Sequence, residues 1–346
     1  MKHAELCVGK SRTIREAMGQ LDRVAKKVLF VAEDEVLIGA LTDGDIRRHL
    51  LNGGRMDDPV AAAANYHPVT AQNPEQARKL LRRDGIFAVP VVGEGGALLD
   101  IVLDPGFSKP RRSSLHIPVV IMAGGKGTRL DPYTRVLPKP LIPVGELPVI
   151  EHIMRQFQQF GCEAFHVVVN YKKQLLKAYF SESEKRYQVS WYDEERPLGT
   201  GGGLYLLKGR VKETFFFTNC DILLLSDYAD ILKFHREQKN AVTMVGAWKN
   251  LTLPYGVVET GRGGVIERIR EKPELSFLTN TGMYIVEPEV LEDIQDDTPA
   301  GFPDIIEDQR RKGRKTAVYP VSGEEWLDMG QMTELEKMKK RLYEET

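Results

Sequence analysis

I-P-V-V-I-M-A-G-G-K-G-T-R-L-D-P-Y-T-R-V-L-P-K-P-L, residues Ile117 to Leu141, is the stretch whose reading decides the fold. Its opening, Val119 to Ala123, is an unbroken apolar run of the kind that fills a parallel strand buried on both faces. The run stops at Gly124-Gly125-Lys126-Gly127-Thr128-Arg129, where three glycines let backbone N–H groups approach an anion without Cβ clashes. Lys126, Arg129 and Lys139 crowd the same turn with positive charge, which only a highly anionic ligand rewards. A nucleoside triphosphate is the expectation. The spacing is not that of a P-loop, which needs G-x-x-x-x-G-K-[ST]. Nor is it the dinucleotide fingerprint, because Leu130 stands where the third glycine of G-x-G-x-x-G belongs.

Working outward, the 346 residues are enough for two domains with a core each. A net charge of −1 with 28% charged residues gives no reason to expect nucleic acid or a membrane surface as partner. The apolar runs are too short for a membrane span, and residues 1–20 lack a signal-peptide core. Cys7, Cys162 and Cys220 are too scattered for a disulfide framework or a zinc site, and no H-x-x-x-H pair occurs. A cytoplasmic protein is expected. From Pro118 onward, apolar strands alternate with amphipathic helices, which predicts an α/β fold with a mostly parallel sheet. Strands are predicted at Phe165 to Val169, Thr214 to Asn219 and Ala241 to Val245. Helices are predicted from Pro148 to Gly161, from Lys172 to Phe180, near Tyr228 to Gln238, at Leu204, and from Thr333 to Glu345.

G-G-K-G-T-R-L-x-P-x-T-x-x-x-P-K-P-L resembles the signature of the sugar nucleotidyltransferases, the nucleoside-diphosphate-sugar pyrophosphorylases. The likeness runs over residues 118–346. It implies a Rossmann-like sheet of the GT-A type and transfer of a nucleotidyl group from a triphosphate to a sugar 1-phosphate, with Mg²⁺ as cofactor. Carried onto this chain, the resemblance assigns Ala123, Gly124, Gly125, Gly127 and Thr128 to the nucleotide, with Arg129 and Lys139 as catalytic cations. The metal aspartates of G-D-x-L and W-x-D-x-G become Asp221 and Asp328; Cys220 replaces the glycine before the first. Oxygen donors of this kind suit a hard cation. Glu194 to Gly202 resembles the base-binding loop E-x-P-L-G-T-A-G, which brings in Glu195, Gly199 and Thr200, with Gly201 where alanine is usual. Gly256, Glu271, Lys272 and Asn280 match the segments that hold the sugar phosphate. No G-x-S-x-G elbow or other nucleophile motif is present, so a direct displacement is expected. The P-L-G-T loop resembles that of guanylyltransferases, which makes GTP the favoured triphosphate, and Glu194 or Glu195 can accept from guanine N–H groups. Thymidylyl, uridylyl and cytidylyl transfer stay open.

Residues 1–107 contain a weak repeat with a period of about 60 residues, each copy reading helix, strand, turn, strand, helix. Thr13-Ile14-Arg15-Glu16-Ala17 answers Asn73-Pro74-Glu75-Gln76-Ala77, and Val28 to Val31 answers Ala88 to Val91. This resembles a tandem pair of CBS domains, at 1–55 and 56–107, joined by a linker at 108–117 to the larger domain. Gly39-Ala40-Leu41-Thr42-Asp43-Gly44-Asp45-Ile46 fits the pattern G-h-h-T-x-x-D, so the resemblance gives Thr42 and Asp45 to an adenine nucleotide. Asp45 also suits the start of a helix. In the second copy Leu103 and Gly106 replace the Thr and Asp, so at most one such site is expected. The combination is similar to CBS-fused sugar-1-phosphate guanylyltransferases, including those acting on glucosamine 1-phosphate in legionaminic acid pathways. It implies a homo-oligomer whose N-terminal pair is regulatory or dimerising. A nucleotide sensor with a catalytically dead domain is the competing reading.

Overall fold

The side chains of Val119, Val120, Ile121 and Met122 are all buried, and the strand they form has parallel neighbours on both sides. An apolar run without alternation is what such a central position demands. In this computed structural model the described residues are 4–24, 28–81, 86–104, 114–182 and 187–330. They form two compact units, 1–110 and 111–346.

In the N-terminal unit, β1 (Cys7–Val8) precedes α1 (Ile14–Val24), β2 (Val28–Glu33), β3 (Val36–Thr42) and α2 (Asp43–Leu51). Then come α3 (Pro74–Leu80), β4 (Ala88–Val92) and β5 (Leu98–Leu103). Both β2–β3 and β4–β5 are antiparallel pairs, as the two copies of the repeat require. The two copies share a core in which Phe30 and Ala40 from the first pack with Leu98 and Ile101 from the second, and the second adds a cluster of its own from Ala71, Ala77, Val89 and Val91. The last helix of the second copy and most of the linker lie outside the described residues, as does the closing helix at 333–345.

The second unit is built on a seven-stranded sheet. In chain order its elements begin with β6 (Val119–Met122), α4 (Tyr133–Val136), the short pair β7 (Pro143–Val144) and β8 (Leu147–Pro148), α5 (Val149–Gln159), β9 (Ala164–Val169), α6 (Lys173–Ser181) and β10 (Gln188–Asp193). They continue with β11 (Phe215–Asn219), β12 (Ile222–Leu224), α7 (Tyr228–Gln238), β13 (Val242–Thr252), β14 (Val257–Thr260), β15 (Ile266–Arg270) and β16 (Glu274–Val286). The last are α8 (Glu289–Glu292), α9 (Phe302–Arg311), β17 (Thr316–Val321) and β18 (Trp326–Asp328). The sheet order is β10-β9-β6-β11-β16-β13-β17, and β16 alone runs against the others. Period-two alternation sends Val119, Ile121 and Phe216 into the core beneath α5 and α7. Val120, Phe215 and Phe217 enter a second core with Phe302 and Ile305 of α9.

Local chemistry sets the element ends. Pro148 precedes the first turn of α5, whose Val149, Ile150, Ile153, Met154 and Phe157 are buried, and Gly161 breaks away at φ +75°. Asp227 caps α7 by accepting from the Ala229 N–H at 2.9 Å. Two elements differ from the sequence reading. The turn at Leu204 is a 3₁₀ helix, Gly202–Leu207, in which Gly202 packs against the backbone of Thr298 and Ala300 and Gly203 against the Glu194 side chain. β13 runs on to Thr252 instead of stopping near Val245, since β16 continues beside it.

Candidate active site

Two strand ends frame the site. β6 delivers the chain to Gly124–Arg129, and β11, its parallel neighbour, delivers it to Cys220-Asp221. The connection after β6 goes to β9 on one side, whereas the chain after β11 continues to strands on the other. Such a switch point leaves a crevice at the carboxyl ends of the strands.

Gly127 takes φ +66°, and a Cβ there would come within 3.0 Å of Lys139 Cβ and of Thr134 Cγ2. Glycine thus lets the turn press against the Lys139 segment, and the Thr134 hydroxyl donates to the Gly127 carbonyl at 3.1 Å. A Cβ on Gly125, by contrast, would meet nothing within 4 Å. That side of the turn faces open space. Ala123 is buried beneath it, while Lys126, Thr128 and Arg129 stand exposed.

Asp221 and Asp328 lie more than a hundred positions apart in sequence, yet β12 and β18 bring them together. Ile222 faces Asp328 in that two-stranded ladder, and the Met329 N–H donates to the Asp221 carbonyl at 2.7 Å. The Gly330 N–H donates to Asp328 Oδ1 at 2.7 Å. A methyl placed on Gly330 would lie 2.9 Å from Asp328 Oδ1, 3.4 Å from Asp221 Oδ2 and 3.6 Å from Arg129 Nη2. Two carboxylates and a guanidinium therefore converge on one small region. Lys139 completes it, its ammonium paired with Asp221 Oδ2 and both side chains only 13% exposed. The ion pair is what permits so low an exposure, since an unpaired ammonium there would be costly. Beside Asp221, burial pushes the Cys220 thiol up to about 12, so it stays protonated and unreactive.

The donor set fits magnesium. Among the described residues no cluster of three or more His, Cys, Asp or Glu side chains surrounds a metal-sized point. Asp221 and Asp328 offer hard oxygen donors, the kind that a hard divalent cation takes.

In the loop after β10, the structure separates the two neighbouring glutamates. Glu195 is exposed, whereas Glu194 is 4% exposed. Its carboxylate lies between Gly124 and Gly203, where Cβ atoms would come within 2.6 and 2.2 Å of its oxygens. Oε1 has no hydrogen-bond partner. Burial raises the carboxyl to about 7, opposed in part by the Leu198 N–H. Gly199 and Thr200 pack onto the segment before α9: a Cβ on Gly199 would be 2.6 Å from the Ala300 carbonyl, and the Thr200 hydroxyl accepts from the Phe302 N–H at 3.1 Å.

The four sugar-site candidates are all exposed. Gly256 and Glu271 are neighbours, since a Cβ on the glycine would sit 2.9 Å from Glu271 Oε2. Lys272 follows at φ +42°. Asn280 donates to the Tyr284 hydroxyl at 2.7 Å and accepts from the Gly282 N–H at 2.9 Å. Gly282 in turn abuts the Asn219 amide, so this segment borders the Asp221 turn.

Sequence reading missed Asn170-Tyr171-Lys172, directly after β9. Asn170 donates to the Glu194 carbonyl at 3.0 Å, and the Tyr171 hydroxyl donates to the Thr134 carbonyl at 3.2 Å. Lys172 donates to the carbonyls of Arg135 and Val136. These contacts tie the loop after β10 and the segment that packs on the glycine turn to one strand end. The position after a central strand was the only available signal.

In the N-terminal unit, Thr42 and Asp45 are engaged with each other. The Thr42 N–H and hydroxyl donate to Asp45 Oδ2, and the Asp45 N–H donates to the Thr42 hydroxyl at 3.1 Å. This is a reciprocal cap on α2.

A seven-stranded α/β sheet with a glycine turn and paired aspartates at its switch point defines a phosphate-handling fold of the nucleotidyl transferase kind. Residues 118–345 match the nucleotidyl transferase family, and the chain belongs to it. It is 33% identical over 227 residues to mannose-1-phosphate guanyltransferase of Pichia angusta, covering 61% of this chain and 60% of that protein. To mannose-1-phosphate guanylyltransferase of Mycobacterium tuberculosis it is 31% identical, over 62% of this chain and 61% of the other. The chain thus spans less than two thirds of these relatives' length. Among solved structures, HddC from Yersinia pseudotuberculosis superposes with a TM-score of 0.52 at 21% identity, covering 65% of this chain and 99% of that one. That likeness concerns the fold.

Proposed function

We propose that this chain joins a sugar 1-phosphate to the nucleotidyl group of a nucleoside triphosphate, GTP by preference, and releases pyrophosphate. An oxygen of the sugar phosphate attacks the α-phosphorus, the bond from that phosphorus to the bridging oxygen breaks, and pyrophosphate leaves with the electron pair. Both reactants are anions, so cations and in-line positioning are the main requirement. The observation that carries the reading is the convergence of Arg129, Lys139, Asp221 and Asp328 beside the glycine turn.

In this reading the backbone of Gly124 to Gly127, with Ala123 beneath it and Thr128 at its end, cradles the triphosphate, and Arg129 grips it. Lys139 neutralises Asp221 in the empty site and bridges phosphates in the filled one. Magnesium held by Asp221 and Asp328 would neutralise phosphate charge when bound. Glu194, in place of the exposed Glu195, accepts from guanine N–H groups, because its buried oxygen has no partner of its own. The names of the relatives above support guanine. Gly199 and Thr200 shape the base loop through their packing on Ala300 and Phe302. Gly256, Glu271, Lys272 and Asn280 take the sugar phosphate.

A panel of triphosphates and sugar 1-phosphates, followed by pyrophosphate release, tests this. GTP should give the highest kcat/KM, and thymidylyl, uridylyl or cytidylyl transfer would show as another ranking. No release from any pair would overturn the proposal. Asp221→Asn should lose roughly two orders of magnitude in rate. The N-terminal unit is proposed to regulate or assemble the enzyme. An adenine nucleotide at Thr42 and Asp45 would have to exchange the α2 cap for phosphate and ribose, which calorimetry with AMP, ADP and ATP measures.

A further inference from the structure

Lys172 stands where local chemistry would not choose it. It directly precedes α6, at the position where a helix favours a short side chain that accepts from its first N–H groups. Thr42, Asn73 and Asp227 do this ahead of α2, α3 and α7. Lys172 makes no such bond, and its backbone is left-handed, at φ +50° and ψ +32°. That conformation costs a residue carrying a Cβ, and it persists only where contacts elsewhere hold it. The contacts here run to α4. Four residues on from Thr134 and Val136 stand Pro138 and Pro140, which have no N–H to give, and the chain is already extended at Leu137. The last carbonyls of α4 therefore lack the partners a longer helix would supply. The end of β9 supplies them instead. The Tyr171 hydroxyl donates to the Thr134 carbonyl at 3.2 Å, and the Lys172 ammonium donates to the carbonyls of Arg135 and Val136, the second at 2.9 Å.

We propose that Lys172 is a positioning residue for the phosphate site, acting through α4. Only Leu137 and Pro138 separate α4 from Lys139, whose Cβ is in close contact with Gly127. From inside α4 the buried Thr134 hydroxyl donates to the Gly127 carbonyl at 3.1 Å. The Tyr171 N–H reaches the other end of the same turn, donating to the Gly124 carbonyl at 3.3 Å. One strand end thus fixes the glycine turn directly and the Lys139 segment through α4. Lys172 supplies two of these ties with a single side chain, which sets the distance between the turn and the Lys139 ammonium before any ligand arrives. The inference rests on the proposed function, in which both groups act on the phosphates. There, placement is what the protein contributes, and a displacement of about 1 Å can cost a large part of the rate. The strained backbone at Lys172 belongs to this role, since a residue better suited to starting α6 would be too short to reach α4.

Lys172→Asn and Lys172→Arg in the full-length protein test this. Asparagine adopts the left-handed conformation more readily than lysine but cannot span the gap to α4. Its melting temperature should therefore hold or rise, while amides of residues 133–142 exchange faster with deuterium. With the preferred triphosphate its kcat should fall about tenfold or more, and KM for the sugar 1-phosphate should stay the same. Arginine keeps a long cationic donor and should restore both the slow exchange and most of kcat. A Lys172→Asn protein with wild-type exchange in that segment and wild-type kcat would overturn the proposal. So would a fall in melting temperature that accounts for the lost activity, or an arginine variant no better than the asparagine one. Wild-type protein that releases no pyrophosphate with any substrate pair would count against the functional reading, and the exchange comparison would still decide whether Lys172 holds α4.

Discussion

Glu194 sets burial against chemistry. The folded chain holds its proton up to about 7, while the unfolded chain releases it near 4.5. Between those values the folded state binds more protons, so this residue's contribution to stability declines as pH rises through the window and then levels off. At about 1.4 kcal/mol per pH unit, the span is on the order of 3 kcal/mol. Glu194→Gln should therefore flatten the pH dependence of denaturant unfolding across that range and be the more stable protein above it. Nucleotide binding should run the other way. Guanine N–H groups favour the ionised carboxylate, so KM for GTP should fall as pH rises through about 7 and lose that dependence in the glutamine variant. The glycines of the phosphate turn separate structure from function in a similar way. Gly127→Ala puts a Cβ at positive φ and against Lys139, and should cost about 1–2 kcal/mol of stability. Gly125→Ala meets open space, so its melting temperature should not move while KM for the triphosphate rises. Arg129, Lys139, Asp221 and Asp328 were legible as a set because a motif fixes residue type and chain order together. Which of Glu194 and Glu195 is buried was not, because adjacent residues at a strand end differ only in which face they enter. Gly124 and Gly203 were the missing clue, as a carboxylate buried between two backbones leaves no room for a Cβ on either.

Among the elements, the base loop shows how a family pattern can be changed and compensated. The loop from Glu194 to Gly203 rests on the segment before α9. The N–H groups of Gly201 and Gly202 both donate to the Ala300 carbonyl, and the Ala300 N–H donates to the Leu198 carbonyl. At Gly201 a Cβ would come within 2.6 Å of Ile305 Cδ1 and 3.0 Å of the Phe302 nitrogen. An alanine at this position would thus force its neighbours to shift. Gly201→Ala should lower stability by about 1–3 kcal/mol, the usual cost of overpacking. Adding Ile305→Val removes the methyl in the way and should restore part of the loss, which chemical denaturation of the three proteins would show. α5 and α7 were readable because cap, apolar stripe and breaker are all local. β12 and β18 were not. Each has three residues, and their pairing joins segments about a hundred residues apart, so no local periodicity records it.

At the scale of the molecule, the repeat before residue 107 and the alternating pattern after Pro118 already implied two bodies, since neither period continues into the other. The structure gives each unit a core of its own: Phe30, Ala40, Leu98 and Ile101 in one, the two faces of the seven-stranded sheet in the other. Units with separate cores unfold as separate cooperative transitions unless an interface couples them. Scanning calorimetry of the whole chain should therefore resolve two transitions. A ligand that binds only one folded unit raises only that unit's transition, by an amount that grows with the logarithm of its concentration. GTP with magnesium should shift the transition of the sheet unit, and Asp221→Asn should weaken that shift. The transition of the repeat unit should respond instead to Thr42→Ala, whose lost cap on α2 costs about 1 kcal/mol. A single transition that GTP moves as a whole would show that the two cores share one cooperative unit, and the sheet could then not be treated as an independent nucleotide-binding body.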